Sequence, residues 1–356
     1  MRIHLVIDTF YPNTGGQQVR FYELLECFLK KGHEVEVITV GHEANLAPKE
    51  QLSNGIIVNR IIMDSNYYKN GVFGRRLSTY IKFSIKSKQY LKRNNVDIVI
   101  FDQFSFLSAI IYKSKKTFTI LDFVEFRKSL IWKLINKKLL RSTDKIVCIS
   151  KYLKDEVDHY LKNNIRTEVI PSLVRTEKYY KSSHSENFGL FLGRVEPHKH
   201  PESAISAVSE YNNQNNSNLK LVIAGGGSIL ENLKTKYQDN QMVTFLGYVD
   251  DDVKYDLLSK AKFLILPSER EGLPKSFIEA IASKLPIITI NYPENYGRYF
   301  VRDNKVGEIA NSDKELYREI GKVIEGRIKY ENNCSLIVNN YNLITGAEKY
   351  LTLYKK

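Results

Sequence analysis

Short apolar runs alternate with amphipathic helical patterns along the 356 residues of the chain. In the first half, the runs that predict strands are residues 3–7, 35–39, 56–61, 98–101, 118–121, 145–149 and 168–170. In the second half, they are residues 188–192, 219–224, 243–246, 263–266, 287–290 and 307–309. Because helical segments alternate with these strands, the pattern predicts an α/β protein whose parallel sheets are covered by helices on both faces.

The length of the chain suits two α/β domains better than one hydrophobic core. The stretch 176–187 is polar and rich in Ser and Lys, which is typical of a linker. We therefore expect an N-terminal domain at 1–175, a C-terminal domain at 188–336 and a last helix at 337–356.

Neither membrane-spanning nor secretory features are visible in the sequence. No apolar run approaches the about 18 residues of a spanning helix, and the chain opens directly on a predicted strand. Cys27, Cys148 and Cys334 are too scattered for a disulfide framework or a metal site. These features predict a cytoplasmic protein.

The formal net charge of +13 is concentrated in the first half of the chain. Residues 1–181 hold 31 Lys and Arg against 18 Asp and Glu, whereas residues 182–356 hold 22 of each. The stretches 65–96 and 127–145 are basic and interleaved with apolar residues, which predicts amphipathic helices suited to an anionic membrane surface. A solvated Lys-rich face is the alternative. Nucleic acid is not expected, because no recognisable module offers stacking platforms.

Two carboxylates flank the start of a short predicted helix in the second half. Glu271 lies in the loop after a buried strand, Pro274 suits the first helical turn, and Pro286 stops the helix. Glu279 lies on the side of the helix away from its apolar face, and the free N–H groups at the helix start could hold phosphate. The alternative is that Glu279 pairs with Lys275 on a solvated helix face.

A second group of basic residues follows the strand at 188–192. Arg194 and Lys199 share one loop, and such a pair can clamp a diphosphate, because each charge-assisted hydrogen bond contributes about 1.5–3 kcal/mol. Ordinary surface cations are the alternative. His198 and His200 flank Lys199, but two histidines without a third ligand do not predict a metal site.

Three further stretches carry candidate chemistry. Gly15-Gly16 opens a helix and allows close backbone approach to a ligand, although it does not form the dinucleotide-binding glycine fingerprint. A glycine turn, residues 224–228, follows another strand. The acidic run 250–252 could hold a cation, but it directly precedes a helix, so N-capping is the favoured interpretation and no metal is expected.

The run Glu271-Gly-Leu-Pro-Lys-Ser-Phe-Ile-Glu279 resembles the Glu-x7-Glu signature of the family-4 retaining glycosyltransferases, also called glycosyl transferases group 1. Gly193, Arg194 and Lys199 match the family's Gly-Arg-x4-Lys motif. The resemblance implies the GT-B fold, in which two Rossmann-like domains face each other across a cleft. It also implies that the last helix packs back on the N-terminal domain.

By this resemblance, the protein moves a sugar, with retention and without a metal, from a nucleotide-diphosphate donor to a glycan or lipid-linked acceptor in surface polysaccharide or glycolipid synthesis. No cofactor beyond the nucleotide-sugar co-substrate is implied. Glu271 would bind the sugar and position its anomeric carbon. The residues implied in donor binding are Gly16, Arg194, Lys199, Gly226, Tyr248, Gly272, Leu273, Pro274, Lys275, Ser276 and Glu279.

The acceptor side departs from the family pattern. The family often places a His after the strand that corresponds to residues 118–121, whereas this chain has Asp122 there. Asp122 is therefore a candidate catalytic residue that orients the acceptor hydroxyl, with helix capping as the alternative. The missing His keeps two rival functions open: a catalytically silent nucleotide-sugar-binding subunit and a nucleotide-sugar epimerase of the same fold. Peripheral binding to the inner face of the membrane is also expected.

Overall fold

The computed structural model describes residues 1–13, 15–68, 75–126, 130–162 and 166–354. The chain divides into two compact units, one made of Met1–Pro171 and Leu343–Lys356 and the other of Ser172–Asn342. Residues 176–187, predicted as a linker, belong to the second unit. Among the described residues, no helix combines the length and the apolar character needed to cross a bilayer.

The first unit contains a sheet of eight strands in the described ranges, in the order β3-β4-β2-β1-β5-β6-β7-β8. All neighbouring strands are parallel except β3, which is antiparallel to β4. The strands are β1 (Arg2–Val6), β2 (Glu34–Gly41), β3 (Lys49–Gln51), β4 (Ile57–Met63), β5 (Ile98–Asp102), β6 (Phe118–Phe123), β7 (Lys145–Cys148) and β8 (Thr167–Val169). The seven predicted strands are confirmed. The edge strand β3 was not predicted, because Lys-Glu-Gln has no apolar residue.

Helices cover this sheet because their apolar residues recur at helical spacing. They are α1 (Gly16–Lys30), α2 (Leu77–Arg93), α3 (Phe106–Ile111), α4 (Leu130–Leu139) and α5 (Lys151–Leu161). In α1, Phe21, Leu24, Leu25 and Phe28 are all buried, and their spacing places them on one face of the helix.

The second unit contains an all-parallel sheet of six strands within the described ranges, in the order β11-β10-β9-β12-β14-β16. Its strands are β9 (Phe188–Leu192), β10 (Lys220–Ala224), β11 (Val243–Gly247), β12 (Leu264–Ile265), β14 (Ile287–Ile290) and β16 (Gly307–Ala310). All six were predicted. Two further strands, β13 (Arg270–Glu271) and β15 (Glu294–Asn295), pair with each other in a sheet of two strands.

The helices of the second unit are α6 (Pro201–Asn215), α7 (Leu230–Lys236), α8 (Asp251–Lys260), α9 (Lys275–Ala282), α10 (Gly297–Asn304), α11 (Leu316–Glu325) and α12 (Arg327–Ile337). Asp250 caps α8, since its Oδ1 accepts a hydrogen bond from the N–H of Val253 at 2.9 Å. The N-cap prediction for the acidic run is thereby confirmed. In α9, Phe277, Ile278 and Ile281 are fully buried, as their spacing predicts.

The last helix, α13 (Leu343–Leu353), is part of the first unit. It packs on α1, where the rings of Phe28 and Tyr350 meet edge to face with centroids 6.4 Å apart. The predicted single helix at 337–356 is therefore interrupted: α12 ends at Ile337, and a 3-10 turn, Val338–Tyr341, precedes α13.

Candidate functional site

The parallel sheet of the second unit brings most of the predicted donor-binding residues to one edge. Arg194 follows β9, Gly226 follows β10, Tyr248 follows β11 and Glu271 follows β12. The carboxyl ends of parallel strands share one edge, and this is where open α/β sheets bind ligands. Tyr248 is largely exposed there.

The glycine turn after β10 packs against the loop after β9. A Cβ atom on Gly225 would lie 1.9 Å from the Gly193 carbonyl oxygen, and one on Gly227 would lie 2.1 Å from the Val195 carbonyl oxygen. Gly226, by contrast, faces open space, while its carbonyl oxygen accepts a hydrogen bond from the N–H of Val195 at 2.8 Å. The two outer glycines therefore permit the packing, and the middle one leaves room beside it.

Four basic side chains, Arg194, His198, Lys199 and Arg270, form what we call the cation cluster. Lys199 ends a 3-10 turn, and the N–H of Glu269 donates to the carbonyl of His198 at 2.8 Å, which joins this turn to the loop after β12. Burial lowers the pKa of His198 to about 4, and the positive charges of Lys199, Arg270 and Arg194 add to this effect. The cluster therefore favours an anionic ligand.

Glu271 is held directly against the cation cluster. Its Oε1 atom contacts the Lys199 ammonium, and the two side chains are only 15% and 12% exposed. Burial, together with the charges of Arg194 and Arg270, lowers the pKa of Lys199. The expectation that Glu271 lies in a loop was wrong: it belongs to β13, which β15 pairs.

Glu279 is buried, which contradicts the alternative of a solvated helix face. Its side chain lies 3.3 Å from the Nζ atom of Lys254 in α8 and accepts a hydrogen bond from the hydroxyl of Tyr179 at 3.1 Å. Burial opposes the charge of Lys254, but Glu279 and Asp251 outweigh it and raise the pKa of Lys254. No sequence signal marked Lys254 or Tyr179 as neighbours of Glu279.

The segment between the two glutamates leads into α9. Pro274 stands at the N-cap position rather than within the first turn, and it has no side-chain oxygen that could cap the helix. Leu273 and Pro274 are buried, whereas Gly272, Lys275 and Ser276 are half-buried. The amino end of α9 thus carries the positive end of the helix dipole beside residues predicted to bind the donor.

Asp122 lies in β6 of the first unit and is completely buried. It forms an ion pair with Arg20 of α1, and its other oxygen accepts a hydrogen bond from the hydroxyl of Tyr350 in α13. Arg20 also donates to the Tyr350 hydroxyl at 3.0 Å and to the carbonyl of Ile170 at 3.3 Å. Asp122 therefore joins the sheet to two helices. Its catalytic assignment stays a prediction.

Gly16, the remaining predicted donor residue, is the first residue of α1 and faces open space. Beside it, Gln17 donates to the Oδ1 atom of Asp102 at 3.1 Å. Burial, together with the charges of Asp8 and Asp122, raises the pKa of Asp102 to about 8. Asp102 was not predicted, although its place at the carboxyl end of β5 is the available signal.

The basic stretches of the first unit place apolar side chains on exposed helix faces; residues 69–74 and 127–129 of these stretches lie outside the described ranges. In α2, Leu77, Ile81 and Ile85 follow at four-residue spacing and are 69%, 41% and 47% exposed. We call these three residues the apolar stripe. Its helix contains no acidic residue. In α4, Leu134 is 67% exposed among exposed lysines.

Among the described residues, no group of three or more His, Cys, Asp or Glu side chains could hold a metal ion. The positive charge at the carboxyl edge of the second sheet comes from the cation cluster.

Two family models match the chain. The model described as glycosyl transferases group 1 matches residues 175–337, and the model described as glycosyltransferase family 4 matches residues 14–178.

Similar proteins and structures agree with these matches. The GalNAc-alpha-(1->4)-GalNAc-alpha-(1->3)-diNAcBac-PP-undecaprenol alpha-1,4-N-acetyl-D-galactosaminyltransferase of Campylobacter jejuni is 26% identical over 96% of this chain and 92% of its own length. The phosphatidylinositol N-acetylglucosaminyltransferase gpi3 subunit of Schizosaccharomyces pombe is 25% identical over 98% of this chain and 79% of its own. Sucrose-phosphate synthase from Thermosynechococcus elongatus superposes with a TM-score of 0.79 at 16% identity, covering 99% of this chain and 98% of that one.

Proposed function

Because this chain belongs to glycosyltransferase family 4 and has the GT-B fold, we propose that it transfers a sugar, with retention and without a metal, from a nucleotide-diphosphate donor to a lipid-linked glycan. The observation that carries the donor half of this proposal is the cation cluster. Its members Arg194, Lys199 and Arg270 bring positive charge to the carboxyl edge of one sheet, and such groups bind and neutralise a diphosphate.

The proposed chemistry uses the second unit as follows. Arg194 and Lys199 stabilise the negative charge that develops on the departing diphosphate, with the amino end of α9 adding to their field. Glu271 binds the sugar and positions its anomeric carbon. Glu279, held by Lys254 and Tyr179, accepts hydrogen bonds from the ribose hydroxyls. Since the cation cluster supplies positive charge, we propose no role for a metal ion.

The proposed acceptor is inferred from similar proteins and from the positive charge of the first half of the chain. The Campylobacter jejuni relative is named for an undecaprenol diphosphate-linked acceptor. The excess positive charge of this chain lies in residues 1–181, which complements an acceptor that carries a diphosphate. The apolar stripe, with Lys82 and Lys86 exposed beside it, fits an anionic membrane surface, because such helices bury apolar side chains while their lysines face lipid phosphates.

Thermal unfolding with UDP, GDP, ADP and NAD tests the donor site. A ligand at a hundredfold its Kd stabilises the folded protein by about 2.7 kcal/mol. We expect one diphosphate to stabilise the wild-type protein and to have little effect on the Arg194→Ala/Lys199→Ala variant. Stabilisation of both proteins alike, or by NAD alone, would refute the donor site.

A catalytically silent nucleotide-sugar-binding subunit is the second candidate, and the buried ion pair of Asp122 is the observation that favours it. In this arrangement both carboxylate oxygens of Asp122 contact protein groups. Turnover separates the two candidates: the transferase releases nucleoside diphosphate from its donor when an acceptor is present, and Glu271→Gln abolishes this release. A product formed without any acceptor would instead identify an epimerase.

A further inference from the structure

The two residues that the proposed function assigns to different parts of the donor contact each other in this structure. Lys199, assigned to the diphosphate, forms an ion pair with Glu271, assigned to the sugar. Both side chains are largely buried, so water screens the pair only weakly. While they are paired, each residue offers fewer hydrogen-bonding groups to its own part of the donor.

We propose that Glu271 is an internal competitor of the donor diphosphate. Its carboxylate pairs with Lys199, and a diphosphate that binds Lys199 instead releases Glu271 to bind the sugar. This inference rests on the proposed donor site. It makes sugar recognition dependent on the diphosphate, so a free sugar alone leaves Glu271 paired.

The backbone around Glu271 indicates that the side chain, rather than the strand, makes the exchange. The carbonyl oxygen of Glu271 accepts a hydrogen bond from the N–H of Tyr296 at 2.7 Å, and β15 pairs with β13 on that side. The N–H of Glu269 is likewise bound to the His198 carbonyl at 2.8 Å. A rotation of the side chain about its own bonds is therefore sufficient.

The negative charge of each anion determines whether the Glu271 carboxylate or a diphosphate pairs with Lys199. A single carboxylate neutralises one positive charge. Arg194 and Arg270 act on Lys199 electrostatically, so three positive charges lie close together here. A diphosphate carries more negative charge and more acceptor oxygens than a carboxylate, so it contacts several of these groups at once. Glu271 is the weaker anion, and its replacement by a neutral group favours the diphosphate further.

Isothermal titration with UDP, GDP and ADP tests the competition. Glu271→Gln keeps the size of the side chain and removes its charge. We expect it to bind the preferred nucleoside diphosphate about tenfold more tightly than the wild-type protein, although it loses transfer activity. Glu269→Gln is the matched control: it removes a charge two residues earlier, from a side chain that is 59% exposed and 3.8 Å from His200, and should leave the affinity unchanged.

A Lys199→Ala background separates competition for Lys199 from general repulsion. There, Glu271→Gln should change the affinity less than twofold, because the contested cation is gone. An equal gain with and without Lys199, or a gain of the same size in Glu269→Gln, overturns the proposal, as does an affinity of Glu271→Gln no higher than that of the wild-type protein.

The proposed function can be refuted independently of the competition between Glu271 and the diphosphate. Binding by the wild-type protein that Arg194→Ala weakens supports the donor site even where Glu271→Gln brings no gain, and in that case only the competition is refuted. Absence of binding by every nucleoside diphosphate to the wild-type protein refutes both.

Discussion

We predict that nucleotide binding depends on pH through His198, whose pKa is low. Burial and the charges of Lys199, Arg270 and Arg194 lower this pKa to about 4, while Glu196 acts in the opposite direction. A bound diphosphate places negative charge among these groups. We therefore expect the pKa of His198 to return towards its ordinary value of about 6.5 in the complex.

The size of the effect follows from these two values. At pH 5.5, a group with a pKa of about 4 carries about 0.03 proton, and one with a pKa of about 6.5 carries about 0.9. Binding at pH 5.5 should therefore take up about 0.9 proton at His198, and this protonation alone should make binding about tenfold tighter than at pH 8. Because binding raises the pKa of His198, the gain in affinity is complete below about pH 4. It is lost as the pH rises through about 6.5.

Titration calorimetry in buffers of different ionisation enthalpy measures the proton uptake directly. The terminal phosphate of the nucleotide itself titrates near pH 6, so the informative quantity is the difference between the wild-type protein and His198→Asn. We expect about 0.9 more proton taken up by the wild-type protein at pH 5.5 and no difference at pH 8. Equal uptake by the two proteins at pH 5.5 would show that His198 does not sense the diphosphate.

Three further predictions concern the glycine turn, the buried ion pair and the membrane. Gly227→Ala should abolish nucleotide-induced stabilisation, because its Cβ atom would collide with the backbone. Gly226→Ala has space for its Cβ atom and should fold normally. Equal behaviour of the two variants would contradict this steric account. Asp122→Asn leaves Arg20 charged and buried, so urea unfolding should show a loss of about 3–5 kcal/mol, and unchanged stability would argue against the pair. Replacing the apolar stripe with serines should reduce cosedimentation with anionic vesicles without changing nucleotide affinity; undiminished cosedimentation would exclude the stripe as the contact.

The strands of both sheets were predictable because nearly all are short runs of buried apolar residues between helical segments. The strands β3, β13 and β15 were not, because two or three polar residues carry no periodicity; their pairing depends on neighbours elsewhere in the fold. The consequence for the site is direct, since Glu271 was expected in a loop and lies on β13.

The candidate site was predictable where a motif is local. Arg194 and Lys199 lie in one loop, and their motif indicated a shared ligand. The partners of Glu279 come from other parts of the unit: Lys254 lies in α8, and Tyr179 precedes β9. Such contacts depend on tertiary packing, so no spacing rule identifies them.

The return of the last helix to the first unit has a consequence for synthesis on the ribosome. Tyr350 contacts both Arg20 and Asp122, so this buried ion pair gains the Tyr350 hydroxyl as a partner only after the whole second unit has been translated. The second unit is continuous in sequence and can complete its own contacts earlier. A premature stop codon shortly before residue 343 would therefore damage mainly the part of the protein that was made first.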